Sequence, residues 1–171
     1  MKVNIIKTGT IGSKTDEFVI ENNILYECNL TGTVVVPKNV TEIKATAFSN
    51  KTNIIKVVLP ERLKTIGTNT FIGCTSLEEV IIPESVEAIE DQAFFRCKKL
   101  KKVYLPKRLR YLGTKAFENS GLESVNLPEH PNHVGSYVFA NSQLHQVTIP
   151  ANFPLTRAMF DECKNLEAVT F

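Results

Sequence analysis

The amino-acid sequence predicts a β-rich α/β solenoid, in which short repeated units stack in a row. Six prolines recur at intervals of 22 or 23 residues: Pro37, Pro60, Pro83, Pro106, Pro128 and Pro150. The same apolar residue types return at fixed distances from each proline. A fixed period of this length is typical of solenoid proteins, because one unit cannot bury its apolar positions without neighbours.

The residues before each proline predict the first repeated element, a short strand. A valine stands three residues before every proline: Val34, Val57, Val80, Val103, Val125 and Val147. An aliphatic residue stands one before it, and this alternation predicts a strand with one buried face. Proline ends the strand because it has no N–H to donate. Stacking at about 4.8 Å would give a seven-strand sheet roughly 29 Å long.

A phenylalanine defines the second repeated element. Each unit carries one, preceded in most units by a small or apolar residue: Phe48, Phe71, Phe94, Phe117, Phe139 and Phe160. Polar residues flank these pairs, which suits one turn of α- or 3₁₀-helix on the wall opposite the strands. Stacked units would then bury parallel columns of valine, leucine and phenylalanine.

The full pattern resembles a known repeat. Residues 77–97 carry every position of it: Leu77, Val80, Ile82, Pro83, Val86, Ile89, Ala93, Phe94 and Cys97. This segment is similar to the BspA-type leucine-rich repeat, and the resemblance extends over residues 17–171. It implies a right-handed solenoid of about six repeats, with parallel strands on the concave face. The fourth and fifth units are one residue shorter near Asn119 and Asn141, and the sixth is irregular around residues 153–155.

The chain is expected to form one continuous repeat domain at residues 33–171, after an N-terminal cap at residues 1–32. The resemblance implies a hairpin at residues 17–26 within that cap, and Val3, Ile5 and Ile6 could add a further strand. No comparable device follows the last strand, so its edge is expected to pair with something, such as a second copy of the chain.

Composition limits the classes of function. Of the 171 residues, 43% are hydrophobic, and the formal net charge is +2. So small a net charge gives no strong overall attraction to nucleic acid or membranes. No apolar run reaches the ~18–20 residues of a membrane span. Without an apolar leader, a complete chain would be cytoplasmic, whereas an excised family fragment would come from a secreted or cell-surface protein.

The cysteines and histidines give no sign of a metal site. Cys74, Cys97 and Cys163 share one repeat position with Ser120 and Ser142, which indicates small buried residues with reduced thiols. A disulfide between Cys74 and Cys97 stays open at this point. His130 and His133 lack a third ligand in the sequence nearby, so we predict no metal and no cofactor. No nucleophile elbow or phosphate loop is present, and we predict that the chain is not an enzyme.

The residue between the two buried positions of each strand is expected to face outward on the concave side. That row is Val35, Val58, Ile81, Tyr104, Asn126, Thr148 and Thr170. Its first four members are apolar, which is typical of an interaction site, although the strand preference of valine and isoleucine would also explain them. The predicted partner-binding residues are Val35, Val58, Ile81, Tyr104, Asn126, Lys101, Lys102 and Glu79.

A basic band follows an acidic one. Residues 96–110 contain eight basic residues and no acidic ones: Arg96, Lys98, Lys99, Lys101, Lys102, Lys107, Arg108 and Arg110. Such a band could bind an acidic protein or a phosphate backbone. The alternative is that neighbouring bands of opposite charge neutralise each other on a solvated surface.

The leading functional prediction is a non-enzymatic protein–protein interaction scaffold that binds its partner through the concave face. If the resemblance extends to role, the source is bacterial and the partner is a host matrix or cell-surface protein. One alternative is an intracellular inhibitor or adaptor, such as one encoded by a phage or mobile element, that acts on a nucleic-acid-handling complex. Another is direct nucleic-acid binding through the band at residues 96–110. The sequence does not identify the partner.

Overall fold

The structure is a computed structural model that describes residues 4–6 and 18–171. Successive turns of chain stack into a β-solenoid of parallel strands, which confirms the predicted architecture. Throughout the described residues the regular elements are strands and turns, and no helix occurs. The helical component of the predicted α/β class is therefore wrong.

The first sheet contains the strands that precede the prolines. Its strands pair in three groups: first β4 (Gly32–Val35), β6 (Ile54–Val58) and β8 (Glu79–Ile81), then β10 (Lys102–Val103) and β12 (Ser124–Val125), and last β14 (Gln146–Thr148) and β15 (Ala168–Thr170). Val34 lies opposite Val57, and Val57 lies opposite Val80, so equivalent residues of neighbouring units are in register. These valines are buried, which gives the column predicted from the sequence.

A second sheet forms the wall that follows the prolines. Its strands are β7 (Thr65–Ile66), β9 (Ala88–Ile89), β11 (Tyr111–Leu112) and β13 (His133–Val134). The equivalent strand of the preceding unit, β5 (Glu42–Ile43), belongs to the N-terminal sheet. Strands β7, β9, β11 and β13 pair in parallel with one another. The sequence did not predict this sheet, because a two-residue strand is too short to show an alternating pattern.

Hydrogen-bonded turns form the third wall, where a helical turn was expected. The Phe71 N–H donates to the Ala93 carbonyl at 2.8 Å, and the Phe94 N–H donates to the Ala116 carbonyl at 2.7 Å. These N–H groups therefore bond to the next unit instead of to their own turn. Gln92 and Arg96 also have φ of 56° and 61°, a left-handed conformation that interrupts any helix.

The phenylalanine rings stack along the inside of this third wall. Ring centroids are 4.8 Å apart for Phe48–Phe71 and 5.0 Å for Phe94–Phe117. The spacing widens to 5.7 Å for Phe117–Phe139, where the units shorten by one residue. Stacked rings at these distances contribute about 0.5–1.5 kcal/mol per pair beyond their buried area.

An antiparallel hairpin covers the N-terminal end of the stack. It consists of β2 (Phe18–Glu21) and β3 (Ile24–Cys28), joined by Asn22 and Asn23 with φ of 50° and 63°. Strand β1 (Asn4–Ile6) pairs with β2, and β3 pairs in parallel with β5. Val3 and Glu17 lie outside the described residues. The boundary at residue 32 and the right-handed winding stay predictions.

All four cysteines are free thiols, and those of the shared repeat position fill space beneath the turns. The Cys74 thiol donates to the Phe48 carbonyl at 2.9 Å, and the Cys97 thiol donates to the Phe71 carbonyl at 3.1 Å. Burial raises the pKa of Cys28 to about 11 and that of Cys74 to about 12. It also raises the pKa of Cys97 well above its usual value.

The ring column predicts a large loss of stability for Phe94→Ala. This substitution removes the ring that stacks on both Phe71 and Phe117, and it leaves a cavity in the core. We expect the free energy of unfolding, measured with urea, to fall by about 3–5 kcal/mol. Phe94→Leu keeps most of the volume and should cost less than about 1.5 kcal/mol. Equal losses in the two variants would contradict this role of the ring column.

The buried thiols predict a loss of stability at alkaline pH. Above about pH 9 an unfolded cysteine loses its proton, whereas folded Cys97 keeps it because burial raises its pKa. The unfolded state then binds fewer protons, so stability falls as pH rises. Cys97→Ser should make this decline shallower by about 1.4 kcal/mol per pH unit in urea titrations. Identical slopes for wild type and Cys97→Ser would contradict the prediction.

Candidate interaction surface

The outward residues of the first sheet, called here the strand face, form the row predicted from the sequence. Val35 lies opposite Val58, and Val58 lies opposite Ile81. The exposed fractions are 61% for Val35, 43% for Ile81 and 65% for Tyr104, while Val58 is half-buried. Four apolar side chains therefore form one continuous strip, followed by the polar residues Asn126, Thr148 and Thr170.

Ion pairs between neighbouring units border this strip. They are Lys56–Glu79 at 2.6 Å, Lys99–Glu78 at 3.7 Å and Lys101–Glu123 at 2.9 Å. The hydrogen bond between Lys101 and Glu123 raises the pKa of the lysine and lowers the pKa of the glutamate. Two of the predicted partner-binding residues, Lys101 and Glu79, are thus already paired within the protein.

Lys102 differs from the other charged residues on the strand face. Its Nζ lies 4.7 Å from the centroid of the Tyr104 ring, a cation–π contact. Among the described residues, no carboxylate lies within 4.0 Å of this ammonium group. The positive charge of Lys102 is therefore held in place by an aromatic ring without being neutralised.

A recess, called here the notch, opens on the strand face between β8 and β10. It has a volume of about 300 Å³, and Val80, Ile81, Ile82 and Tyr104 supply its apolar lining. Within the described chain, these adjacent strands share neither a strand pairing nor a backbone hydrogen bond. Their other neighbours on this sheet do pair, β6 with β8 and β10 with β12. The notch thus coincides with a gap in the backbone ladder.

A longer polar groove continues from Tyr104 toward β15. Its volume is about 780 Å³, and its lining includes Asn126, Gln146, Thr148 and Thr170. The Asn126 amide donates to the Leu105 carbonyl at 3.1 Å and accepts from the Leu105 N–H at 3.1 Å. The side chain of Asn126 therefore has a structural role, closing the strand ends, that the sequence did not indicate.

The basic band at residues 96–110 does not form one patch. Because one unit runs around the whole cross-section, its residues are distributed over different walls. Lys101 and Lys102 flank the strand face, whereas Arg96 belongs to the turn wall. A separate cleft of about 490 Å³ is lined by residues that include Lys107, Arg108, Arg110, His130 and Glu87. This distribution weakens the prediction of a single phosphate-binding surface.

The histidines of the loop at residues 130–133 have separate environments. The His133 ring stacks on Tyr111 with centroids 4.5 Å apart, a contact the sequence did not suggest. His130 lies 4.0 Å from Glu129 at an exposed position. In residues 4–6 and 18–171, no three His, Cys, Asp or Glu side chains come together as a metal would require. Nor does that part of the chain contain a helix able to cross a membrane.

The last strand, β15, pairs in parallel with β14. Within it Val169 is 42% exposed, and Phe171, directly after it, is 86% exposed. Self-association through this strand stays a prediction.

Comparison with known proteins identifies the repeat. A family described as the BspA type leucine-rich repeat region matches residues 18–145 and 64–171, with six copies. The chain belongs to the BspA-type leucine-rich repeat family. The resemblance inferred from residues 77–97 is therefore confirmed, and the repeats account for nearly all of the described chain.

Solved structures of bacterial leucine-rich repeat proteins share this fold. The T. pallidum leucine-rich repeat protein TpLRR is 26% identical with a TM-score of 0.83, over 95% of this chain and 82% of its own. A protein from Bacteroides ovatus is 22% identical with a TM-score of 0.72, over 100% of this chain and 53% of its own. A cell surface protein from Faecalibacterium prausnitzii is 22% identical with a TM-score of 0.74, over 96% and 55%. This BspA-type chain spans just over half the length of the latter two, whose likeness shows the fold alone. No curated protein matches the chain.

The sequence predicted the strip of this BspA-type chain but not the notch beside it. Alternation along each strand was sufficient to place Ile81 and Tyr104 on the outside. The contributions of Val80 and Ile82 were missed, since the apolar pattern assigns both to the core.

The two hydrogen bonds of Asn126 predict a loss of stability for Asn126→Ala. The substitution leaves the Leu105 N–H and carbonyl without these partners. We expect the free energy of unfolding to fall by about 1–3 kcal/mol in urea. Gln146→Ala, at an exposed position nearby, is the matched control and should change it by less than about 0.5 kcal/mol. A neutral Asn126→Ala would show that water replaces the amide at no cost.

Proposed function

We propose that this chain is a non-enzymatic scaffold that binds another protein through its strand face. The observation that carries the proposal is the continuous apolar strip from Val35 to Tyr104, exposed beside the notch. Exposed apolar strips rimmed by charge are typical of protein interaction sites. Ile81 and Tyr104 are the proposed anchors, since aromatic residues next to a recess carry a large share of binding energy.

The family supports this proposal in general terms. Repeat proteins of the leucine-rich type build extended binding surfaces from stacked units, and interaction is their usual role. We further propose that the strand face is the concave side of a right-handed solenoid. A partner could then contact several units at once, with the ion-paired residues Lys56, Glu79, Lys101 and Glu123 forming a polar rim.

The test is affinity capture from the source cell with wild type and Tyr104→Asp. The substitution places a charge in the middle of the apolar strip, so we expect partner recovery to fall at least about tenfold. Tyr26→Asp is the matched control, because Tyr26 is also exposed and has Lys44 5.9 Å from its ring centroid, but lies in the hairpin. It should leave recovery unchanged. Equal recovery by wild type and both variants would contradict binding through the strand face.

Salt dependence separates this proposal from nucleic-acid binding. An apolar anchor should change affinity little between 50 and 200 mM salt, whereas 6–10 phosphate contacts would lower it about 10³–10⁵-fold. A steep salt dependence of the captured complex, together with its loss on nuclease treatment, would favour the nucleic-acid alternative instead.

A further inference from the structure

We infer that the notch takes one large apolar side chain of an extended partner peptide, and that Lys102 pairs with a carboxylate two residues away on that peptide. The inference rests on the proposed function and specifies the chemistry of the partner. Three features of the notch carry it: its size, its unbalanced charge and its open backbone.

The size of the notch fits one side chain. A cavity of about 150 Å³ is sufficient for benzene, and the notch has about 300 Å³. Val80, Ile81, Ile82 and Tyr104 give it an apolar lining. A helix, with a diameter of about 10–12 Å, is too wide to enter between adjacent strands, so the inserted group is a single aromatic or branched aliphatic side chain.

The charges around the notch favour an anionic neighbour for that side chain. Glu79 binds Lys56, Glu78 lies near Lys99, and Lys101 binds Glu123, so these charges largely cancel. Within the described chain Lys102 has no carboxylate partner, and its ammonium group lies above the Tyr104 ring. One positive charge is thus left beside an apolar recess. A partner carboxylate would complement it.

The gap between β8 and β10 favours a peptide as the occupant. Strand pairing joins β6 to β8 and β10 to β12, but β8 and β10 share no backbone hydrogen bond. The junction of β12 and β14 is also unpaired, but one flanking bond from the His145 N–H to the Glu123 carbonyl, at 3.3 Å, crosses it. Backbone N–H and carbonyl groups that face a recess require partners, and a peptide supplies both kinds. A single unpaired cation next to an apolar lining is, by contrast, a poor match for a phosphate backbone.

Strand geometry sets the spacing on the peptide. Lys102 and Tyr104 are two residues apart and face the same side of the chain, with buried Val103 between them. In an extended peptide that runs alongside, residues two apart also share one face, at about 6.6–6.8 Å. The apolar residue and the acidic residue are therefore separated by one residue in the partner.

The test is selection of random linear peptides displayed on phage against the full chain. We expect enrichment of a large apolar residue separated by one position from Asp or Glu. Affinities of the selected synthetic peptides are then measured on variants of the chain. Lys102→Glu should weaken binding about tenfold or more, because attraction becomes repulsion. A new selection on Lys102→Glu should return Lys or Arg at the acidic position.

Lys98→Glu is the matched control, with the same change in charge at an exposed site outside the first sheet. It should bind the selected peptides as wild type does. Ile81→Asp should abolish binding, and its circular dichroism and melting temperature verify that it folds. Equal effects of Lys102→Glu and Lys98→Glu, or enriched peptides without the acidic residue, would overturn the inference.

The outcome separates this inference from the proposed function. If peptide binding does not depend on Lys102 or Ile81 while Tyr104→Asp still abolishes partner capture, the notch is not the peptide site but the strand face remains the interaction surface. If neither peptide binding nor partner capture changes in any strand-face variant, both proposals are wrong. Failure to select any peptide also counts against the inference.

Discussion

Stacking in register is the constraint on which the rest of this structure depends. Backbone hydrogen bonds join successive units through the second sheet and the turns, and through most junctions of the first sheet, so equivalent residues lie next to each other along the solenoid. A side chain suited to one unit must therefore also fit its counterparts above and below. This is why valine recurs in the first sheet, isoleucine, leucine or valine in the second and phenylalanine under the turns. Function then depends on the positions that register leaves facing outward.

Much of this fold could be predicted because register makes local patterns repeat. The columns that contain Val57 and Phe71 could be predicted from the spacing of apolar residues along the chain alone. The second sheet was missed because each of its strands contributes one buried residue, as at Ile66, and one residue shows no alternation. The helical turn was wrongly predicted because the preference of an Ala-Phe pair is outweighed by hydrogen bonds to the next unit, as at Phe94.

For the interaction surface, too, the sequence predicts which residues lie on it but not how neighbouring strands and side chains are arranged. Which side chains face outward follows from alternation, so Ile81 and Tyr104 were identified correctly as members of one exposed row. How far β8 and β10 approach each other depends on the relative displacement of two whole turns, which no residue pattern encodes. The hydrogen bonds of Asn126 to Leu105 and the contact of Lys102 with Tyr104 likewise require coordinates, because both depend on side-chain direction.

The missing bonds between β8 and β10 also affect how the units on either side of this junction are held together. Across this junction the second sheet and the turn wall stay joined, through the pairing of β9 with β11 and through the Phe94 hydrogen bond, while the first sheet does not. The two units on either side of this junction therefore depend on the second sheet and the turns for their backbone connection. A peptide bound between β8 and β10 would add a connection on the remaining wall, so binding would also strengthen the contact between the two units.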